Sequence, residues 1–238
     1  MKPVRINKFL ADAGICSRRK AEDLILDGRV SVNGKKTTEL SLKVEPGKDH
    51  VALNGVPVEA DENKVYVILN KPEGVISSAR DELDRKTVMD YVREIGRRLH
   101  YAGRLDSDTG GLVLLTNDGE LSQKLAHPRN KIPKKYSARI RGIPDKKALR
   151  KFISGLEIDD YVTLPAQIKI LKTFHDSCEV EIVITEGKRR QIRRMCKEIG
   201  HPVISLKRTS IGEIALGRLK EGTYRHLRKS EMDYLNSL

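Results

Sequence analysis

The chain has 238 residues, enough for one sizeable core and a small second module. Hydrophobic residues make up 38% and charged residues 33%, which excludes a disordered chain, and no apolar run reaches the roughly 18 residues of a membrane span. Lysine and arginine number 46 against 33 acids, a formal charge of +13, so a polyanion is the expected partner and a membrane is not.

Met1-Lys2-Pro3-Val4-Arg5 lacks the apolar stretch of a signal peptide. Ile6, Phe9, Leu10 and Ala13 repeat at helical spacing, and Gly14 ends that helix. Ser17 caps a second helix that runs through Ile25 and Leu26 to Asp27-Gly28. Short strands follow, with Asn33-Gly34 and Asn54-Gly55 as hairpin turns. The polar run Glu59-Ala60-Asp61-Glu62-Asn63 reads as a linker, dividing the chain into residues 1–60 and 61–238. Beyond it, Val65 to Leu69 is a buried strand that stops at Asn70-Lys71-Pro72. Val88, Tyr91, Val92 and Ile95 mark a helix closed by Gly96, and Leu112–Leu115 is a buried strand before the Asn117-Asp118-Gly119 turn. Leu121 and Leu125 share a helix face, as do Leu149, Phe152 and Ile153. Tyr136, Ala138 and Ile140 alternate with Ser137, Arg139 and Arg141, and Cys178, Val180, Ile182 and Ile184 alternate with acids. Ile192, Met195, Cys196 and Ile199 form a helical stripe ended by Gly200. Half-buried, alternating strands favour an α+β fold: a small α/β module, then a mixed, mainly antiparallel sheet with flanking helices.

The three cysteines, Cys16, Cys178 and Cys196, suggest neither a disulfide framework nor a zinc site, and a reducing, cytoplasmic setting is expected. The positive charge is concentrated. Between Glu186 and Ser210, eight cations face two acids. Arg18, Arg19 and Lys20 open the second helix, where cations oppose the dipole at a cost of up to about 1 kcal/mol each. That placement makes sense if a phosphate binds there. Long basic side chains bending into solvent is the plain alternative. Lys188, Arg189 and Arg190 crowd the start of a later helix, with Arg193, Arg194 and Lys197 along it, and so many like charges point to nucleic acid. Gly103-Arg104-Leu105-Asp106-Ser107-Asp108-Thr109-Gly110-Gly111 lies ahead of a buried strand. It is not a calcium loop, because position twelve counted from Asp106 is Asn117 rather than glutamate. Two carboxylates two residues apart are a weak signal for glycosidase-like acids. A plain Asp/Gly turn and a single functional carboxylate at a strand end both remain open. So do the readings of Tyr136 as a base-stacking residue or a core aromatic.

Taken in order, these segments resemble the bacterial ribosomal RNA pseudouridine synthases that carry an N-terminal RNA-binding module of the ribosomal-protein S-four type. The module is similar over residues 5–58, including Ser17-Arg18-Arg19-Lys20-Ala21 and Val30-Ser31-Val32-Asn33-Gly34. Leu69-Asn70-Lys71-Pro72-Glu73-Gly74-Val75, Gly103-Arg104-Leu105-Asp106 through Leu112, Lys134-Lys135-Tyr136, and Glu186 through Met195 resemble four catalytic-domain motifs. Lys188-Arg189 stands where an Arg-Asn pair is common.

The resemblance implies isomerisation of one uridine in ribosomal RNA after base flipping. The large-subunit, 23S-type RNA is favoured over the small-subunit RNA. The enzyme would be a monomer and would need no cofactor and no metal, since the reaction conserves every atom and electron. Asp106 would be the essential carboxylate, by attack on the anomeric carbon or by removal of a ribose proton. Arg193 would be the cation within about 4–6 Å that keeps Asp106 ionised, and Tyr136 would stack on the uracil and help remove the carbon 5 proton. Arg104 would support the flipped nucleotide, Lys71 would be a pocket residue, and Ile184 would wall the pocket. Arg18, Arg19, Lys20, Arg189, Arg190 and Arg194 would bind RNA. A non-catalytic ribosome-assembly factor explains the basic clusters equally well, but not the set Asp106, Tyr136 and Arg193.

Overall fold

The computed structural model describes residues 2–61, 63–79, 81–159 and 161–238. Contacts divide the chain into two units: residues up to Val65 with Asn117–Gly119, and Tyr66–Thr116 with Glu120–Leu238.

In the first unit, β1 (Val4–Arg5) leads into α1 (Ile6–Asp12), which buries Ile6, Phe9 and Leu10 at positions i, i+3 and i+4. The chain turns at Gly14 and enters α2 (Arg18–Leu26), where the Ser17 hydroxyl accepts the Lys20 N–H at 3.1 Å. Helix α2 packs Ala21, Leu24 and Ile25 inward, which leaves Arg18, Arg19 and Lys20 exposed. Then come β2 (Val30–Val32), β3 (Lys35–Thr37), β4 (Lys43–Val44), β5 (Val51–Leu53) and β6 (Val56–Val58). Strands β2, β3, β5 and β6 form a sheet in the order β3-β2-β5-β6, and β4 pairs with β1. Both hairpin turns have positive φ at their two central residues, 50° and 78° at Asn33-Gly34 and 51° and 82° at Asn54-Gly55, the geometry that suits right-handed strand twist.

The second unit is built on one mixed sheet. Its elements are β7 (Tyr66–Lys71), β8 (His100–Tyr101), β9 (Gly110–Thr116), α3 (Gly119–Ala126), β10 (Lys134–Arg141), α4 (Lys146–Ser154) and a short β11 (Glu157–Ile158) paired with β12 (Tyr161–Val162). They continue with β13 (Gln167–Thr173), β14 (Ser177–Ile184), α5 (Gln191–Glu198), β15 (Val203–Ile211), β16 (Ile214–Ala215), β17 (Tyr224–His226) and α6 (Lys229–Ser237). The sheet order is β13-β14-β10-β15-β9-β7-β17, with β16 joined to β15 and β8 to β9. Its pairs are antiparallel except β9 with β15. All seven residues of β9 are buried, which is why its sequence is a continuous apolar run rather than an alternation. Among the described residues no helix is long and apolar enough to cross a membrane.

One element differs from expectation. Val88 through Ile95 forms two separate 3₁₀ turns, Val88–Tyr91 and Arg93–Ile95, instead of an α-helix. The apolar spacing was real, because Val88 and Val92 are buried. The segment is short, three of its apolar residues are β-branched, and Val92 at φ −124° breaks it in two.

Where β9 meets β15 the backbones come unusually close. A Cβ on Gly111, at φ +101°, would lie 2.3 Å from the Arg208 carbonyl oxygen and 2.7 Å from its nitrogen. No other residue fits there. This glycine brings the loop ahead of β9 against the strand that carries Arg208.

Candidate active site

The loop from Gly103 to Thr109 connects β8 to β9 and is pinned from one side by the segment after β7. The Ser77 hydroxyl donates to the Leu105 carbonyl at 2.9 Å and accepts the Leu105 N–H at 3.1 Å. The Gly74 N–H donates to the Ser107 carbonyl at 2.8 Å. The Thr109 N–H donates to the Asp106 carbonyl at 3.1 Å, closing a tight turn in which the half-buried Asp106 is the first residue and Ser107 and Asp108 are central.

Lys71, expected as a pocket residue, takes part in this pinning and is not among the residues that line the cavity. It is fully buried at 0% exposure, and its Nζ donates to the carbonyls of Pro72 (2.9 Å), Val75 (2.6 Å) and Ser107 (3.4 Å). The reason is geometric: the chain after Pro72 folds back over the end of β7 and offers the ammonium three carbonyls. Burial pulls the Lys71 amine down to about 8, against the opposing charges of Glu73, Asp108, Asp106 and Glu221.

Asp106 opens onto a cavity of about 560 Å³, a size suited to a small ligand or a nucleotide. One wall is the loop itself, with Arg104 exposed at the rim. The sheet supplies another through Lys134 and Tyr136 of β10, Ile184 of β14 and Arg208 of β15. The segment Gly187–Arg190 and Arg193 of α5 supply the third. Tyr136 is buried at 7% exposure and Ile184 at 3%. Among the described residues the Tyr136 hydroxyl makes no hydrogen bond. The pairing register explains this wall: Tyr136 lies opposite Arg208 and Lys134 opposite Ile184, while Lys134 and Tyr136 are two apart and share a face.

Asp106 and Arg193 line the same cavity, and the close contacts of Arg193 within 4 Å are with Asp108. Arg193 Nε lies 3.2 Å from Asp108 Oδ2, and its Nη2 donates to the Asp108 carbonyl at 2.5 Å. Arg190 grips the same carboxylate with both terminal nitrogens, at 3.2 and 2.8 Å. The turn at Asp106 aims Asp108 toward α5, so the second acid of the loop takes both arginines. Burial raises the Asp108 carboxyl, but the Arg190 hydrogen bond and the charges of Arg193 and Arg190 outweigh it and hold the carboxyl below its usual range. The Arg193 Nε is buried, and its approach to Asp108 lacks hydrogen-bond alignment, so it has no acceptor. Asp108 was visible in the sequence only as a turn residue. The available signal was the spacing of Arg190 and Arg193, which stack on one side of a helix start.

The other predicted residues separate by position. Arg189 is exposed at the cavity beside Arg190, which caps α5 in the left-handed region at φ 51°. The turn before α5 is knotted from below: Gln191 donates to Glu186 at 2.7 Å and accepts the Lys188 N–H at 3.0 Å. Arg194 points elsewhere, lies outside the cavity lining and is ion-paired with Asp159. Arg18, Arg19 and Lys20 stand on the first unit, exposed along α2.

Comparison with known proteins places this geometry. A family model described as RNA pseudouridylate synthase matches residues 65–198, and one described as S4 domain matches residues 4–50. The chain is 46% identical to the ribosomal large subunit pseudouridine synthase B of Bacillus subtilis (strain 168), over 98% of this chain and 96% of that protein. It is 43% identical to an uncharacterized RNA pseudouridine synthase of Aquifex aeolicus (strain VF5), over 99% and 94%. A crystal structure of a pseudouridylate synthase superposes with a TM-score of 0.70 at 31% identity, covering 98% of this chain and 99% of the other. The chain therefore belongs to the RNA pseudouridylate synthases, isomerases that act on RNA, and carries an S4 domain ahead of its catalytic unit.

Proposed function

We propose that this enzyme converts one uridine of large-subunit ribosomal RNA to pseudouridine in the cytoplasm, with Asp106 as its essential carboxylate. The observation that carries the proposal is the convergence of Asp106, Arg104, Tyr136, Ile184 and Arg193 on one cavity of about 560 Å³. The name and 96% coverage of the Bacillus subtilis relative support the large-subunit RNA as substrate. A binding-only factor would explain the exposed arginines but leaves a carboxylate at the start of a pinned turn, opening onto a cavity, without a task.

The reaction then runs as follows. Arg18, Arg19 and Lys20, with Arg189 and Arg190, hold RNA phosphates. The target nucleotide leaves its stack and enters the cavity, because its glycosidic bond is out of reach inside a helix. Tyr136 stacks on the uracil, Ile184 walls it, and Arg104 supports the flipped nucleotide from the rim. Asp106 either attacks C1′ or removes a ribose proton, and the N1–C1′ bond breaks with its electron pair leaving on the base. The base turns and C5 bonds to C1′, either as the Asp106–C1′ bond breaks and frees the carboxylate or as Asp106 returns the ribose proton it removed; the C5 proton then passes to a base, for which the Tyr136 hydroxyl is placed, and N1 gains a proton. Atoms and electrons balance within the substrate. Through its grip on the Asp108 backbone and carboxylate, Arg193 fixes the turn that presents Asp106.

Asp106→Asn tests the proposal. Pseudouridine mapping on deproteinised ribosomal RNA is expected to find no product, with RNA affinity within a few-fold of wild type. Turnover retained in that variant overturns the assignment.

A further inference from the structure

Two cations on the sheet wall of the cavity have no carboxylate to answer them. Arg208 is 2% exposed, its Nε donates to the Leu112 carbonyl at 2.8 Å, and its Nη2 is buried with no acceptor among the described residues. Lys134 is half-buried beside it, and its Nζ donates to the Ile132 carbonyl at 3.0 Å. Neither takes part in an ion pair among the described residues. The other arginines of the site contrast with this: Arg190 and Arg193 share Asp108. A buried, unpaired guanidinium next to an ammonium costs free energy in the resting protein, because desolvation and mutual repulsion both oppose it. A fold that keeps both on one wall of its reaction cavity needs positive charge there.

Register shows what that charge meets. Lys134 and Tyr136 are on the same face of β10, Arg208 lies opposite Tyr136 on β15, and Ile184 lies opposite Lys134 on β14. The cations therefore belong to the wall against which Tyr136 and Ile184 would hold a base. The rim cations Arg104, Arg189 and Arg190 are exposed and suit hydrated phosphates. The sheet wall lies deeper, with Tyr136, Ile184 and Arg208 buried and Lys134 half-buried, so the part of the nucleotide that reaches it is the uracil.

We propose that Lys134 is a further catalytic residue, contacting a uracil carbonyl oxygen and stabilising the negative charge that the base acquires when the N1–C1′ bond breaks, with Arg208 as the buried charge behind it. The inference rests on the uridine-isomerising reading of the cavity. On heterolysis the bonding pair goes to N1 and spreads onto the ring oxygens. The charge disappears when C5 bonds to C1′ and N1 is protonated. A cation fixed in a water-poor site stabilises such an intermediate without reorganisation, which makes it worth more than in solvent. Burial and the Arg208 charge hold the Lys134 amine down to about 8 in the free enzyme. Arg208 from β15 is the charged group that acts on it. From β14 it faces Ile184, and no carboxylate acts on it.

The test compares Lys134→Met and Lys134→Arg with wild type on target RNA, by single-turnover rate at saturation, RNA affinity across salt, and kcat/KM against pH. Methionine keeps an unbranched side chain of similar bulk without the charge, and urea midpoints confirm folding. K134M is expected to slow the saturated rate by about 10–100-fold, the range for loss of one preorganised charge donor. Its RNA affinity should stay within twofold. Wild-type kcat/KM should fall above pH about 8, and K134R should restore rate and lose that alkaline limb. Wild-type rate in K134M overturns the inference. So does a variant with an unchanged saturated rate, weaker RNA binding and a salt dependence shallower by about one ion, the signature of a phosphate contact. Wild type without product, or active D106N, instead sinks the reading beneath it.

Discussion

Replacing Lys71 with methionine separates two contributions that the structure sets against each other. The ammonium is fully buried, and its proton is held at about 8 rather than the ordinary 10.5. Keeping it charged at neutral pH therefore costs roughly 3 kcal/mol. Against this stand short hydrogen bonds to the Pro72 and Val75 carbonyls, at 2.9 and 2.6 Å. Left without a donor, each buried carbonyl costs about 1–3 kcal/mol. The two sides nearly offset at pH 7, so K71M is expected to lie within about 3 kcal/mol of wild type there. The sign of the pH dependence is sharper. The folded state holds the Lys71 proton less tightly than the unfolded chain does. Wild type therefore gains stability as pH rises from about 8 toward 10.5, while K71M lacks that gain. The stability gap should widen over that window by up to roughly 3 kcal/mol. Urea unfolding of both proteins at pH 7, 8.5 and 10 measures it. A gap that stays flat or narrows with pH refutes the account of Lys71 as a buried clamp carrying a reluctant charge.

Arg193→Lys keeps the charge but cannot reach both the Asp108 carbonyl and its carboxylate, so kcat should fall about tenfold or more with little change in RNA affinity; wild-type rates would exclude the clamp. Gly111→Ala places a methyl 2.3 Å from the Arg208 carbonyl oxygen in a backbone conformation alanine resists, so the loss should reach about 4 kcal/mol or more, read as a collapsed urea midpoint or insoluble protein.

Local features were legible and long-range ones were not. Asn33-Gly34 and Asn54-Gly55 announced their hairpins because the required positive φ is a property of those residues alone. Helices α1 and α2 followed from periodic burial and from Ser17. The same periodicity misled at Val88–Ile95, where burial was correctly placed but the segment lacks the length and propensity for an α-helix. The site divided in the same way. Asp106, Tyr136, Ile184, Arg104, Arg189 and Arg190 all line the cavity. Lys71 was expected in the pocket, and its burial under three backbone carbonyls was not legible, because the chain that folds over it comes from Pro72–Val75 and Ser107. The direct contact of Arg193 with Asp108 was not legible, because Asp106 and Asp108 are two residues apart and the sequence does not say which of them lies against α5.

The site depends on the order of the sheet. Lys134, Tyr136, Ile184 and Arg208 come from three strands that are neighbours in the order β14-β10-β15, although 74 residues of chain separate Lys134 from Arg208. The loop with Asp106 joins them only because β9 runs parallel to β15 on the far side. In that pair Lys207 lies opposite Gly110 and Arg208 opposite Gly111. Gly111 sets how closely the two strands approach, and hence how far the carboxylate at the turn stands from the cationic wall. A side chain at that position would strain one strand and also move the Asp106 loop away from Lys134 and Arg208. The glycine after the loop is thus part of the cavity's geometry: it determines how close the sheet brings the loop of Asp106 to the strand of Arg208.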